Sequence, residues 1–351
     1  MKAQEIPIAA NGYLLNASPH FLSWLLQPGG GSGAIPVELT TPDRLAALRD
    51  HGITPWLYRR VMEDGWQMAL DPAVTTSLRH DYLASLAVTI VQEEETRQIL
   101  TALTSSGLIP ILLKGADLRI RVYEDAATRP MGDLDLLLSR DDVPQAYAVF
   151  LKLGYRPYGH GESKSGLRQQ YGYELEFAPP DAKVLPVDLH WEIRGAACVH
   201  HLAYEPLRAQ VVSWRYQEIP VHLLSPEHAL LHLCLHAFTL GEISLRAALD
   251  LALVITCLPL KWDRFRYQVN QFRFALPVGA VLERMATLWP DLVPADLLAE
   301  LAHYRPSVEE KLVLGLRHQL RRLGFRFPYL FRHRHLWEGA TFILNRLRKK
   351  S

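Results

Sequence analysis

Apolar positions along this chain change spacing twice. Up to about residue 106 they recur mostly at helical intervals: Leu14, Leu15, Phe21, Leu22, Leu25 and Leu26 form one such set. Thr41-Pro-Asp-Arg-Leu and Asp71-Pro-Ala-Val read as helix starts, each a capping side chain followed by proline. Tyr82 to about Ser105 predicts a long helix whose polar cluster, Gln92-Glu-Glu-Glu-Thr-Arg97, reads as a solvated face. Gly29-Gly-Gly-Ser-Gly33 reads as a flexible loop, since no strand precedes it and no Gly-Lys-Ser or Gly-Lys-Thr follows.

From Ser106-Gly107 the pattern shortens to apolar runs of strand length. Leu108-Ile-Pro-Ile-Leu-Leu113 predicts a buried strand closed by Lys114-Gly115, and Ala116 to Tyr123 a short helix that carries Arg119 and Arg121 on a solvated face. Arg129-Pro-Met-Gly-Asp133-Leu-Asp135-Leu-Leu-Leu138 is a turn followed by a second strand. Asp141-Asp142-Val-Pro opens a helix that Gly154 ends. Strands are expected at Tyr155-Arg-Pro-Tyr, at Tyr173-Glu-Leu-Glu-Phe177 and from Lys183 to Ile193, with His160 to Gly166 as a Gly/Ser loop. Helical spacing returns at Pro226 to about Leu240, Ser244 to Cys257 and Pro277 to Trp289. The expected division is a helical region 1–106, an α/β unit with a mixed sheet at 107–195, a helical domain 196–316 and a basic, aromatic-rich tail 317–351.

Composition narrows the class without naming it. The 351 residues suit two domains or one with helical extensions, and 49% hydrophobic with 21% charged residues is ordinary for a globular chain. A net charge of +1 gives the whole molecule no electrostatic reason to seek nucleic acid or anionic membrane. The three cysteines, Cys198, Cys234 and Cys257, form no CxxC pattern and fit a reducing cytoplasm, without a disulfide or zinc framework. No signal peptide is read at the start. The most apolar later stretch, Leu245 to Leu260, is too short and, with Arg246 and Asp250, too charged for a membrane span.

The candidate chemistry lies at Asp133-Leu-Asp135. Alternation puts both carboxylates on one face of the strand and Leu134, Leu136 and Leu138 on the other. Two like charges at the edge of a core repel, and the simplest compensation is a hard cation such as Mg²⁺. Lys114-Gly115 after one strand, Asp133-Leu-Asp135 on the next and Asp188 on a later one complete the set. The run LLKGADLRIRVYEDAATRPMGDLDLLL, then PVDLHWEI and LLHLCLHAF, resembles the uncharacterised nucleotidyltransferases of the polymerase-β-type nucleotidyltransferase superfamily, over Leu108 to Trp262.

That resemblance implies an α/β (α+β) fold: a small mixed-sheet nucleotidyltransferase core flanked by N- and C-terminal helical regions. It implies Mg²⁺-dependent transfer of a nucleoside monophosphate from an NTP to a hydroxyl of a small molecule or protein. Asp133 and Asp135 would bind two metal ions about 3.5–4 Å apart, and Asp188 one of them while helping to deprotonate the acceptor. The superfamily's Gly-Ser or Gly-Gly turn is Gly115-Ala116 here, with no hydroxyl for the phosphates. Lys114 is the expected compensating charge, Gly115 the backbone approach to phosphate and Arg129 the preferred phosphate contact.

His190 shares the face of Asp188 and is read either as a nucleotide or carboxylate contact, or as a base, or as a structural histidine bonded to aspartate. Glu174 and Glu176 share a face on the preceding strand and are read either as exposed sheet-face residues or, for one of them, as a further metal ligand. His228, His232 and His236 share one helix face, either as a metal stripe or facing the cleft. Asp250 and Trp262 are expected to hold the helical part against the core. The alternative to an enzyme is a catalytically silent nucleotide-binding or accessory protein of a biosynthetic cluster. The basic tail raises RNA as a further partner.

Overall fold

The structure is a computed structural model that describes residues 9–10, 17–26, 34–157, 173–181, 185–194, 200–240 and 242–322. The Gly29–Gly33 loop, the His160–Gly166 loop and the tail beyond Arg322 lie outside the described residues.

In chain order, strand β1 (Ala9–Ala10) precedes helices α1 (Pro19–Leu26), α2 (Pro42–Asp50), α3 (Thr54–Glu63) and α4 (Pro72–Ser105). The core then runs β2 (Ile111–Leu112), α5 (Lys114–Arg121), β3 (Leu134–Leu137), α6 (Val143–Lys152), β4 (Arg156–Pro157), β5 (Glu174–Ala178) and β6 (Val187–His190). Next come β7 (Glu192–Arg194), β8 (His201–Ala203), α7 (Tyr204–Arg208), β9 (Val212–Tyr216) and β10 (Ile219–Leu223). The remainder is α8 (Pro226–Leu240), β11 (Glu242–Ile243), α9 (Leu245–Cys257), α10 (Trp262–Gln271), α11 (Ala275–Leu288), α12 (Ala295–Ala302) and α13 (Val308–Arg322).

Local chemistry sets the boundaries. Asp71 caps α4 by accepting from the Ala73 backbone N–H at 2.7 Å, and Ser244 caps α9 through Ala247 at 3.1 Å. Gly107 after α4 and Gly154 after α6 take positive φ, 81° and 87°, which lets the chain leave each helix by a left-handed residue. The predicted helix from Tyr82 is the second part of one long helix that starts at Pro72.

Seven strands form a mixed sheet in the order β4-β5-β6-β3-β2-β10-β9, with β3 parallel to β6 and β2 parallel to β10. Two differences from the sequence expectation matter. The predicted strand to Ile193 breaks at Trp191, and β7 leaves the main sheet to pair with β8. The sheet also reaches past residue 195, because the hairpin β9–β10 adds to its far edge. The hairpin turns at Gln217 and Glu218, both at positive φ (44° and 71°), positions usually taken by Asn or Gly. With neither residue present, the turn carried no sequence signal.

One face of the sheet buries Leu134, Leu136, Leu189 and Leu223 against Ile99, Leu103, Ala146 and Phe150 of α4 and α6. Ile111 and Leu137 instead enter a second cluster that joins Leu25, Leu45 and Leu57 of the N-terminal helices to Leu230, Leu249 and Val281 of the C-terminal ones. The two helical ends of the chain therefore share one core, and Trp289 Nε1 donates to the Leu22 carbonyl at 2.8 Å. This is an α+β core with helical flanks. No helix among the described residues is long and apolar enough to cross a membrane.

Candidate active site

Strand register assembles the site. In the β3–β6 pair Asp135 lies opposite Asp188, and in the β5–β6 pair Asp188 lies opposite Glu176. Residues directly opposite share a face, so three carboxylates form one row across the sheet. The next row holds His190 between Leu137 and Glu174. Asp135 Oδ1 accepts from Lys114 Nζ at 2.6 Å and from His190 Nε2 at 2.9 Å, while His190 Nδ1 lies 3.5 Å from Glu174 Oε2. Ligand atoms of Asp135, Asp188 and His190 lie within 4.8 Å of one another, close enough for one cation. Asp133, just before β3, falls outside that group and is exposed at its surface.

These groups divide sharply in charge. Burial alone would raise the Asp135 carboxyl, but the Lys114 charge and the His190 hydrogen bond outweigh it and hold it well below the usual range. Lys114 and His190 are raised in turn, because Asp135 overcomes the burial that would lower them. For Asp188 the balance is reversed: burial, then the Asp135 charge, outweighs the opposing His190 charge and pushes its carboxyl up to about 7. Protein crowding and then Asp135 push Asp133 up as well.

The turn before α5 is strained where it meets this row. Lys114 takes φ 44°, a left-handed conformation uncommon for a side-chain-bearing residue, and so its amine reaches back to Asp135. The Leu113 backbone N–H donates to the Asp135 carbonyl at 3.1 Å, which ties the turn to β3. Gly115 follows under the Arg129-Pro-Met131 segment. Arg129 donates to Asp250 on α9 through Nη2 at 2.7 Å and Nε at 3.2 Å, and Tyr123 Oη donates to the same carboxylate at 2.7 Å.

A family model described as uncharacterised nucleotidyltransferase matches residues 40–290. The chain belongs to this family. No curated protein and no solved structure matches it.

For a nucleotidyltransferase, the placement of the expected residues is informative. The match spans the helical layers as well as the core, and the Arg129–Asp250 pair joins the two, as expected for Asp250. Arg119 and Arg121 are not on a solvated face. Arg121 pairs with buried Asp117 at Nη2 and donates to the Leu224 carbonyl at 2.9 Å. Arg119 donates to the Arg129 carbonyl at 2.8 Å and to Thr89 Oγ1 at 3.3 Å. In the Gln92–Arg97 cluster, Glu94 and Arg97 do face solvent, whereas Gln92 is buried and donates to the Met131 carbonyl at 3.1 Å. A lone glutamine in a charged run gave no sign of that role. The histidines of α8 form no metal group among the described residues. Burial drives His228 to about 4, His236 to about 3 and His232 well below its ordinary value, so all three are neutral.

Two outcomes follow from this geometry. A Cβ on Gly115 would lie 2.7 Å from Met131 Cγ, 2.8 Å from Met131 Sδ and 3.0 Å from Arg129 Nη1. Gly115→Ala should therefore displace the Met131 and Arg129 side chains from the turn and cost about 1–3 kcal/mol in urea titrations.

The second concerns pH in the absence of metal. The Asp188 carboxyl titrates at about 7 in the folded chain and near 4 in the unfolded one. The folded state binds the extra proton between these values, so this group's contribution to stability falls as pH rises through that window. Asp188→Asn should flatten the fall and raise the melting temperature near pH 8 by a few degrees. The gain is on the order of 1–2 kcal/mol, discounted for the group's contact with water. Thermal denaturation in EDTA at about pH 5 and 8 reads this directly; identical pH profiles for both proteins would contradict it.

Proposed function

We propose that the chain transfers a nucleoside monophosphate from an NTP to a hydroxyl of a small molecule or protein and releases pyrophosphate. The observation that carries this reading is the row of Asp135 and Asp188 on adjacent strands, one carboxylate fully ionised and one poised near neutrality. The donor set suits Mg²⁺, since carboxylate oxygens are its preferred ligands. Asp133, Asp135 and Asp188 would hold it, with two ions in the superfamily pattern, and His190 fixes Asp135 from behind. Bound Mg²⁺ would offset the phosphate charge and polarise the α-phosphorus.

The chain's own groups do the rest. Lys114 supplies a positive charge beside the carboxylates, and the start of α5 at Gly115 brings backbone N–H groups to the phosphates. Asp188 takes the proton from the acceptor hydroxyl oxygen, a task that favours a base near the working pH. The hydroxyl oxygen then forms a bond to the α-phosphorus, and pyrophosphate leaves along the opposite side. The test is a screen for labelled AMP, UMP or CMP incorporation into cell extract with Mg²⁺. Transfer above the background of heat-treated protein is the expected result, and none with any NTP would sink the proposal.

A second reading, a nucleotide-binding protein without turnover, is favoured by one feature: Ala116 stands where the superfamily offers a hydroxyl. Calorimetry with each NTP and Mg²⁺ separates the two when run beside the screen, since tight binding with no transfer belongs to the second.

A further inference from the structure

A cleft of about 330 Å³ opens between α4, the start of α3 and the Pro130-Met131 turn. Met131, which lines it, also packs over Gly115 and precedes Asp133 by two residues in the chain. Its walls include Val88, Gln92, Arg119, Pro130 and Met131, and its rim carries Arg49, which is paired with Asp81 at 2.8 Å.

Two polar groups in this cleft lack the partner their chemistry calls for. Gln92 is only 6% exposed, and its amide nitrogen is committed to the Met131 carbonyl at 3.1 Å. That bond fixes which way the amide points and leaves the buried Oε1 with no donor. An unsatisfied buried acceptor costs about 1–3 kcal/mol. Arg119 donates only to a carbonyl and a hydroxyl, and no carboxylate pairs with it among the described residues. Burial, then the neighbouring Arg129, lowers it to about 10, the signature of a cation short of an anion. The rest of the wall sets aliphatic Ala84, Val88 and Pro130 beside the hydroxyls of Thr54, Ser85 and Thr89, and among the described residues no aromatic ring lines the cleft to stack on a nucleotide base.

We propose that this cleft is a ligand site for a small molecule with an aliphatic body, an anionic group for Arg119 and a hydroxyl or amine donor for Gln92 Oε1. This ligand site does not rest on the transfer reading. Because Arg119 and Gln92 both hold the backbone of Arg129 to Met131, an occupant would also steady the segment that leads into Asp133.

The experiment uses 2-hydroxyisocaproate as probe, with isocaproate lacking the hydroxyl and 3-methylbutan-1-ol lacking the carboxylate, measured by saturation-transfer NMR on the full chain with and without ATP and Mg²⁺. The hydroxy acid should bind more tightly than either analogue. Arg119→Gln should weaken it about tenfold or more. Arg119 also supports the backbone, so Val88→Trp serves as the second variant: Val88 is 54% exposed and its enlargement fills the cleft from the rim. It should abolish the probe signal and leave ATP binding unchanged. No binding of the hydroxy acid, binding that Val88→Trp does not affect, or competitive displacement by ATP would each overturn the inference. If ATP fails to bind while the probe still depends on Val88 and Arg119, the transfer reading falls and the ligand site stands.

Discussion

Asp135→Asn should reduce nucleotidyl transfer by about 10³-fold or more, the equivalent of several kcal/mol of transition-state stabilisation. Asp135 is the point on which the site converges. It is the most strongly ionised carboxylate of the row, it stands beside Asp188, and its Oδ1 receives both Lys114 and His190. Asparagine keeps an oxygen for both donors, so the local hydrogen bonds survive while the charge that would attract a cation is gone.

The same exchange leaves Lys114 beside a neutral partner, and its side chain is 18% exposed. A stability loss of a few kcal/mol is expected alongside, so transfer must be compared at temperatures where circular dichroism shows both proteins folded. Label transfer at the wild-type rate by the folded variant would remove Asp135 from the chemistry. His190→Gln should do less harm, since its amide nitrogen stands near the place of Nε2 and can still donate to Asp135, while the charge and the approach to Glu174 are lost.

What could be read from the chain alone divides by range. The faces taken by Asp135, Asp188 and His190 were legible because alternation is local: Asp133-Leu-Asp135 and Val187-Asp188-Leu-His190 each declare a face within a few residues. Helix starts at Pro42 and Pro72 were equally local: a proline opens both, and Asp71 caps the second. The register that sets Asp135 opposite Asp188 was not local, and neither was the direction taken by Lys114, which depends on a left-handed φ that no lysine advertises. The arginines show the same limit. Arg119 and Arg121 have the spacing of an exposed face, yet Arg121 is held by Asp117 and by Leu224, which is distant in sequence, and Arg119 by Thr89 and Arg129. The hairpin at 212–223 stayed hidden because Gln217 and Glu218 occupy positions that usually announce themselves as Asn or Gly.

Arg129→Met is expected to destabilise the chain by about 3–5 kcal/mol, the usual cost of removing one partner of a buried ion pair. Arg129 and Asp250 are 12% and 5% exposed, and without the guanidinium Asp250 keeps only the Tyr123 hydroxyl among these partners. Much of the loss should return in Arg129→Met with Asp250→Leu, since an apolar pair of similar volume leaves no charge stranded. That double variant separates a clamp from a phosphate contact. Arg129 Nη1 lies against the Gly115 turn, 3.0 Å from where a Cβ would stand, and donates to the Pro130 carbonyl at 2.9 Å. The guanidinium thus faces the turn as well as Asp250. If it also serves the triphosphate, the refolded double variant should bind ATP with Mg²⁺ about tenfold or more weakly than wild type, a loss of at least one charge-assisted hydrogen bond. Wild-type affinity in a double variant of restored stability would confine Arg129 to joining the helical layer to the core. Lys114 and the backbone of Gly115 would then be the remaining phosphate-side groups of the turn.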